Sequence, residues 1–208
     1  RMAGDLAAME RDRATVLAGI SHDLRTPLSR LRLAIEMSGA DRQTAEEMGM
    51  DIEEMDKVIG QFLAFARGED EPLREGDLNA LVAEIVAGYR KREQKISFTP
   101  GRLSRLRFAP LAVRRAVSNL IDNALHYAGG AIEVSTARGG ALALIEVKDR
   151  GPGVPQGELD RLKRPFTRLD EARSGSGGAG LGLAIVERIA RAHGGRFEIA
   201  VREGGGLV

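Results

Sequence analysis

A histidine, a carboxylate and a hydroxyl lie close together near the start of this chain, in the segment His22-Asp23-Leu24-Arg25-Thr26-Pro27-Leu28. A neutral imidazole is a nucleophile near pH 7, and an adjacent carboxylate can orient it or accept its proton. In a helix, His22 and Thr26 are one turn apart and share a face. Pro27 lacks an amide hydrogen, so the helix is expected to bend there. The segment therefore predicts a reactive histidine at a helix bend.

The helix that carries this histidine is predicted to extend from about Asp5 to Met37. Its apolar residues recur at spacings of three and four, as in an amphipathic helix. They are Leu17, Ile20, Leu24, Leu28, Leu31 and Ile35. His22 and Thr26 each lie about 160° from the middle of this stripe. We therefore expect the imidazole to face solvent or another domain.

A second helical pattern follows the turn signal Ser38-Gly39-Ala40-Asp41 and ends at about Arg67. Thr44 and Glu47 are predicted to form its capping box. Its apolar stripe consists of Met48, Ile52, Met55, Ile59, Phe62 and Ala66. A hairpin of two such helices cannot bury both stripes alone, so a second copy is expected to complete a four-helix bundle. In the alternative, both stripes pack on the C-terminal half of the chain.

The rest of the sequence alternates short helices and strands. We predict a hairpin domain over residues 1–67, a charged, proline-containing linker over 68–76 and a third segment over 77–208. Asp77 is predicted to cap the first helix of that segment. The predicted helices are Leu78–Lys91, Leu111–Tyr127, a short one near Glu158–Lys163, and Leu181–Ala192. The predicted strands are Lys95–Thr99, Arg105–Phe108, Ala131–Ala137, Ala141–Val147 and Arg196–Val201. This mixture indicates an α+β chain with helices on one face of a mixed sheet, a two-layer sandwich.

Composition narrows the classes of function. The 208 residues carry 31 basic and 30 acidic side chains, a net charge of +1, which argues against a general nucleic-acid interface. The absence of cysteine excludes disulfides and thiolate metal sites. The sequence has no signal peptide and no long apolar run, so we expect it to lie outside the membrane. Because it begins at Arg1 rather than Met, we expect a fragment whose membrane anchor, if any, lies elsewhere.

Two polar motifs in the second half suggest a nucleotide site. Asn119 and Asn123 share a helix face, and their amide oxygens suit Mg²⁺, although such a pair can also be an ordinary polar surface. Asp149-Arg150-Gly151-Pro152-Gly153 follows a predicted strand. Its carboxylate could accept a hydrogen bond from an exocyclic amine while its glycines allow close approach, although an ordinary turn is the alternative.

A third motif is the glycine-rich stretch Gly175-Ser176-Gly177-Gly178-Ala179-Gly180-Leu181-Gly182-Leu183, which leads into a helix. Free backbone amides at a helix N-terminus attract anions such as phosphate, although a merely flexible loop is the alternative. The stretch follows a loop rather than a strand, which disfavours a dinucleotide-binding fold, and it has no P-loop pattern.

Taken together and in this order, these motifs resemble the catalytic core of sensor histidine kinases over nearly the whole chain. SHDLRTPL resembles the H-box, NLIDNA the N-box, DRGPG the first glycine box, RPFTR the F-box and GAGLGLAIV the second glycine box. The resemblance is to osmosensing and envelope-stress transmembrane kinases paired with OmpR-type regulators. It implies a dimerising hairpin and a Bergerat-type (GHKL) ATP domain over 77–208.

The resemblance also implies a reaction and its participants. The chain would be an ATP- and Mg²⁺-dependent histidine autokinase that phosphorylates an aspartate of an OmpR-like response regulator and also dephosphorylates that regulator. It would form a homodimer, bind no nucleic acid, and be the cytoplasmic portion of a bacterial inner-membrane sensor. Contact with the membrane would come only through segments missing here.

Residue roles follow from the same resemblance. His22 would accept the phosphoryl group, Asp23 would act as its acid/base neighbour, and Thr26 would position water for dephosphorylation. Asn123 would be the direct Mg²⁺ ligand, and Asp149 would recognise adenine. The implied nucleotide-binding residues are Asn119, Asn123, Tyr127, Asp149, Gly151, Gly153, Phe166, Arg168, Gly178, Gly180, Leu181 and Gly182.

Three features differ from the family pattern. His126 occupies a position where Lys or Arg is usual, the lid from Thr167 to Gly178 runs into unusually glycine-rich sequence, and the last strand is expected to be cut short after Val208. Two other functions remain open from the residues alone. One is an ATPase that uses the hairpin only as a dimer clamp, and the other is a non-catalytic scaffold that binds a regulator.

Overall fold

A computed structural model describes residues 24, 26–38, 41–66, 71–128, 130–167 and 180–208. The chain divides into two compact units, residues 1–68 with 170–181 and residues 69–169 with 182–208. Within the described residues, no helix combines the length and the apolar character needed to cross a bilayer.

The described part of the first unit is a helical hairpin. Helix α1 covers residues 26–37, with residue 24 also helical, and α2 is Arg42–Ala66. Arg32 of α1 lies 3.8 Å from Glu53 of α2, so the two helices run side by side. The short connection between them makes the pair antiparallel.

Much of the predicted apolar stripe is exposed in the single chain. Leu28 and Ile52 are buried, but Leu31 and Met55 are each 50% exposed. Among the described members of the two stripes, Leu24, Met48 and Phe62 are also exposed. The hairpin therefore does not bury its own apolar surface, as the sequence predicted.

Helix α2 begins at a different cap from the one predicted. The carboxylate of Asp41 accepts hydrogen bonds from the backbone amide of Thr44 at 3.0 Å and from its hydroxyl at 2.6 Å. These bonds hold the pKa of Asp41 below its usual value. Glu47 instead accepts a bond from Gln43. The predicted Thr44–Glu47 capping box is therefore wrong, because Asp41 already caps the helix three residues earlier.

In the second unit, helices cover a mixed sheet. The helices are α3 (Leu78–Arg90), α4 (Pro110–Ala128), the short α5 (Leu159–Leu162) and α6 (Gly182–Ala192). The strands are β1 (Arg74–Gly76), β2 (Ile96–Thr99), β3 (Leu106–Phe108), β4 (Ile132–Gly139) and β5 (Leu142–Lys148). The sheet has the order β2-β4-β5, in which β2 is parallel and β5 antiparallel to β4. Strands β1 and β3 form a separate antiparallel pair.

The core of this unit lies between the helices and one face of the sheet. Buried residues recur at helical spacing on α3 and α4 and at every second position on β4. They include Val82, Ile85 and Val86 on α3, Val113, Val117 and Ile121 on α4, and Ile132 and Val134 on β4. Helix α6 packs beside α4. The predicted two-layer arrangement is confirmed.

Most predicted elements occur within one or two residues of their expected bounds. Asp77 caps α3 by accepting a bond from the amide of Ala80, and Gly140 forms the β4–β5 turn with a positive φ of 64°. The segment predicted to be a linker contains β1, which pairs with β3.

The predicted strand Arg196–Val201 is wrong. Only an isolated bridge between Val201 and Leu207 forms there. Gly204, Gly205 and Gly206 all have positive φ and form a tight turn, so the pairing is limited to the few residues on the two sides of that turn.

A closed polar network ties three elements together around Thr136, which is buried on β4. Its hydroxyl donates to the side-chain oxygen of Asn79 on α3 and accepts the amide of Gly101 at 2.9 Å. The side-chain amide of Asn79 donates to the carbonyl of Gly101 at 2.9 Å. Two of the three hydrogen bonds in this network therefore depend on the single hydroxyl of Thr136.

Replacing Thr136 with valine keeps the side-chain shape but leaves the Gly101 amide and the Asn79 oxygen without that partner. We expect the free energy of unfolding, measured by urea denaturation, to fall by about 1–3 kcal/mol. Thr99→Val is the matched control, because Thr99 is exposed on the neighbouring strand β2. Equal losses in the two variants would show that the network contributes nothing specific.

Candidate functional site

Helix α4 carries three of the predicted site residues along one side. Asn119, Asn123 and Tyr127 are separated by one turn each, so they extend over about 12 Å of the helix. The two asparagines are partly buried, whereas Tyr127 is exposed. This stretch of α4 therefore has a polar end at Asn119 and an aromatic end at Tyr127.

At the polar end, α4 meets the start of α6. A Cβ atom at Gly182, the first residue of α6, would lie 3.7 Å from the side-chain oxygen of Asn119. The side-chain nitrogen of Asn119 is buried and has no hydrogen-bond partner among the described residues. A buried donor without a partner is costly, so an acceptor from a ligand that reached this nitrogen would be favourable. Asn123 lies one turn further along the helix.

At the aromatic end, the loop after β5 packs against the last turn of α4. A Cβ atom at Gly151 would lie 3.0 Å from the Cα of Ala128 and 3.2 Å from the carbonyl oxygen of Tyr127. A side chain at Gly151 would require the loop or the helix to shift by a few tenths of an ångström. The ring of Tyr127 contacts that of His126 edge to face, with centroids 4.6 Å apart. Glycine at this position therefore allows the loop to pack closely on α4.

Asp149 follows β5 directly and is only 8% exposed. Its Oδ1 atom accepts the backbone amides of Gly151 at 2.8 Å and Leu207 at 3.2 Å. Within the described part of the chain, both side-chain hydrogen bonds of Asp149 go to this one oxygen. The carboxylate is thus fixed by its Oδ1, and its Oδ2 can accept a bond from a ligand amine.

Two distant side chains fix the start of α4. The carboxylate of Glu71 accepts the amides of Leu111 at 3.1 Å and Ala112 at 2.9 Å, and so caps the helix from 40 residues away. His193, just after α6, accepts the amide of Ala109 at 3.0 Å through Nε2. Its Nδ1 lies 2.8 Å from the carbonyl of Ile189, which places the ring proton on Nδ1.

Asp122 is part of the NLIDNA motif but is engaged elsewhere. Its carboxylate accepts the hydroxyl of Tyr89 on α3 at 2.8 Å. Burial and this carboxylate raise the pKa of Tyr89, so the phenol stays protonated. Asp122 therefore joins α3 to α4.

The remaining predicted site residues differ in burial and in backbone conformation. Gly153 and Gly180 have positive φ values of 70° and 68°, and Leu181 is fully buried. Phe166 is 63% exposed and has a φ of 61°, an unfavourable conformation for a residue with a side chain. Thr26 is exposed on α1. His22, Asp23, Arg168 and Gly178 lie outside the described residues.

The two halves of the chain match two known domain families. Residues 12–71 match the His Kinase A (phospho-acceptor) domain. Residues 109–208 match the histidine kinase-, DNA gyrase B- and HSP90-like ATPase family. The histidine kinase domain of the Escherichia coli osmosensor EnvZ is 37% identical, with 67% of this chain and 87% of that one covered and a TM-score of 0.50. The chain belongs to the histidine kinase family.

Further relatives match nearly the whole length of this chain. The sensor histidine kinase GtrS of Pseudomonas aeruginosa is 34% identical over 94% of this chain and 41% of its own length. The sensor protein RstB of Escherichia coli is 35% identical over 99% of this chain and 50% of its own length. The chain thus spans half or less of these two relatives. Full-length ShkA, solved with AMPPNP, shares the fold at 23% identity, with a TM-score of 0.74 over 94% of this chain and 44% of that one.

The sequence did not predict two residues that support the candidate site. Glu71 could not have been recognised, because its contact with α4 spans 40 residues. The backbone amide of Leu207 was also missed, although the adjacent Gly204-Gly205-Gly206 run signals an unusual backbone next to it. Glu71 fixes the start of the helix that carries the NLIDNA motif, and Leu207 contacts Asp149 itself.

Proposed function

We propose that this chain is the catalytic core of an ATP-dependent histidine autokinase. The observation that carries the proposal is the convergence on α4. Gly182 meets Asn119, whose side-chain nitrogen has no partner in the part of the chain that the structure describes, and Gly151 packs beside Tyr127 two turns away. Such an arrangement suits an elongated ligand with an aromatic base at one end and anionic groups at the other.

The adenine end of this site is formed by Asp149 and Tyr127. With Oδ1 held by two backbone amides, Oδ2 of Asp149 can accept a hydrogen bond from the exocyclic amine of adenine. The exposed ring of Tyr127 would pack near the base. Gly151 and Gly153 would keep the neighbouring backbone free of side chains.

The phosphate end is formed by the asparagines and the start of α6. The free side-chain nitrogen of Asn119 would donate to a phosphate oxygen, and the N-terminus of α6 at Gly182 would favour the negative charge. The amide oxygen of Asn123 would bind Mg²⁺, which neutralises charge on the phosphates when bound. The lid residues Phe166, Arg168, Gly178, Gly180 and Leu181 would complete the enclosure.

In the proposed reaction, a ring nitrogen of His22 attacks the γ-phosphorus of ATP. An N–P bond forms, the bond from phosphorus to the bridging oxygen breaks, and ADP leaves. Asp23 orients the imidazole and accepts its proton. The phosphoryl group then passes from His22 to an aspartate carboxylate of a response regulator. The N–P bond breaks, an O–P bond forms, and the proton held by Asp23 returns to the ring, which leaves a neutral imidazole.

The proposed assembly is a homodimer that acts on an OmpR-type receiver domain. The exposed apolar stripe on α1 and α2, which includes Leu31, Met55 and Phe62, supports pairing of two hairpins into a four-helix bundle. We further propose that this chain is the cytoplasmic portion of a bacterial inner-membrane sensor. Names of relatives such as the sensor protein RstB support a sensing role.

Incubation with Mg²⁺ and ATP labelled at the γ-phosphate tests the activity. We expect protein-bound phosphate that survives alkali and is lost in acid, as a phosphoramidate is, and that moves to one member of a panel of OmpR-type receiver domains. ADP production without labelled protein would instead indicate an ATPase. No nucleotide affinity at millimolar ATP would contradict both activities.

Thr26→Ala is expected to separate the two activities at the hairpin. The exposed hydroxyl of Thr26 would position the water that attacks the phosphorylated regulator, so dephosphorylation should slow by on the order of a hundredfold while autophosphorylation persists. Ser29→Ala, an exposed hydroxyl three residues further along α1, is the matched control. Equal loss of both activities in Thr26→Ala would assign Thr26 to support of the helix.

A further inference from the structure

Residues 200–208 form a tight hairpin next to the adenine end of the site. Ala200 and Val208 exchange two backbone hydrogen bonds of 2.8 and 2.9 Å, and Arg202 donates its amide to the carbonyl of Gly206 at 3.0 Å. Positive φ at Gly204, Gly205 and Gly206 closes the turn. Apart from the amide of Leu207, this segment, the 200–208 hairpin, has no role in the reaction described above.

The 200–208 hairpin holds both the backbone and the side chain of Asp149. The amide of Asp149 donates to the carbonyl of Leu207 at 3.0 Å, and the amide of Leu207 donates back to Oδ1 of Asp149 at 3.2 Å. A Cβ atom at Gly206 would lie only 2.2 Å from the carbonyl oxygen of Asp149. The two backbones are therefore in direct contact, and only glycine allows that approach.

Arg202 fastens the hairpin to the sheet. Its side chain is 17% exposed, and one terminal nitrogen donates to Glu133 of β4 at 2.8 Å. The other terminal nitrogen lies 3.4 Å from the carbonyl oxygen of Asp149. The ion pair holds the pKa of Glu133 below its usual value, so the carboxylate stays charged. Arg202 thus connects strand β4 to the backbone of Asp149.

We propose that the 200–208 hairpin determines base specificity, with Arg202, Gly206 and Leu207 as positioning residues that aim Oδ2 of Asp149 at the base. This inference rests on the proposed reading of adenine by Asp149. The last side-chain torsion of an aspartate is broad, so one amide donor leaves the carboxylate free to turn. The second donor, from Leu207, removes that freedom before the nucleotide binds.

A fixed acceptor distinguishes adenine from guanine. Adenine presents an amine donor where guanine presents a carbonyl oxygen, so an aimed carboxylate attracts the first and repels the second. If the carboxylate could turn, its attraction for the amine of adenine would weaken, and so would its repulsion of the carbonyl oxygen of guanine. Loss of the hairpin contacts should therefore weaken ATP binding and leave GTP binding unchanged or stronger.

The test measures the dissociation constants of Mg-ATP and Mg-GTP for the full chain by calorimetry, together with the melting temperature. We expect Arg202→Gln and Gly206→Ala each to lower ATP affinity roughly tenfold with little loss of GTP affinity. Arg202→Lys should retain part of the preference for ATP over GTP, because it keeps the charge that pairs with Glu133. Arg196→Gln is the matched control, since exposed Arg196 pairs with Glu198 and has no contact with Asp149 among its described interactions.

Asp149→Asn separates this inference from the proposed function. If Asp149→Asn reduces the ratio of ATP affinity to GTP affinity but Arg202→Gln and Gly206→Ala do not, the inference about the hairpin is overturned. Recognition of adenine by Asp149 then still stands. Equal weakening of both nucleotides in the hairpin variants also overturns it, because a general loss of structure has no base preference. An unchanged ratio in Asp149→Asn overturns adenine reading itself. If Gly206→Ala does not fold, Arg202→Gln decides alone.

Discussion

His22→Gln is expected to abolish incorporation of phosphate from labelled ATP while leaving nucleotide affinity unchanged. Glutamine is close to histidine in size and polarity, but its amide nitrogen is not a nucleophile. The nucleotide contacts proposed here come from α4, Asp149 and the start of α6, and none of them requires His22. Labelling of the purified variant, with ATP affinity measured on the same sample, separates the two steps.

The other histidines provide the control, because the chain has only three. His126→Gln should still carry acid-labile phosphate, even where ATP affinity changes, and His193 is held between Ala109 and Ile189 as part of the fold. Phosphate retained on His22→Gln would place the acceptor elsewhere and refute the assignment.

Asn123→Ala is expected to lower Mg-ATP affinity tenfold or more and to remove its dependence on Mg²⁺. The substitution deletes the amide oxygen proposed to bind the ion and leaves helix α4 intact, because alanine favours helix. Titrations with ATP in the presence of Mg²⁺ or of a chelator measure both effects without any turnover.

Asp122→Asn is the matched control on the adjacent position of α4. Its new amide oxygen can still accept the hydroxyl of Tyr89, so the α3–α4 contact should persist. Affinity and its Mg²⁺ dependence should stay as in the unmodified chain. If Asn123→Ala keeps the full dependence on Mg²⁺, the ion is bound by other groups.

The parts of the fold that could be predicted are those with local causes. The stripe of Val113, Val117 and Ile121 predicts α4, and Gly139-Gly140 predicts the β4–β5 turn. The position of Asn119 and Asn123 on one helix face follows from the same periodicity. Such features depend on residues within a few positions of each other.

The features that the sequence did not predict depend on competition between neighbouring cap residues or on contacts between residues far apart in the chain. Asp41 and Thr44 are both favourable N-cap residues, and the local sequence does not determine which of them begins the helix. Residues 74–76 are two charged residues and a glycine, so nothing local predicts that they form β1. The Glu71 cap on α4 and the contact of Leu207 with Asp149 arise only after remote segments have met. Their partners are 40 and 58 residues away.

The link between Leu207 and Asp149 has a consequence for the order in which the site assembles. Gly151 lies two residues from Asp149, so its amide can reach the carboxylate as soon as the turn after β5 forms, whereas Leu207 lies 58 residues further along the chain. Closing a loop of that length costs conformational entropy, so we expect the second amide to reach the carboxylate late in folding. A partly folded chain should therefore discriminate poorly between nucleotide bases.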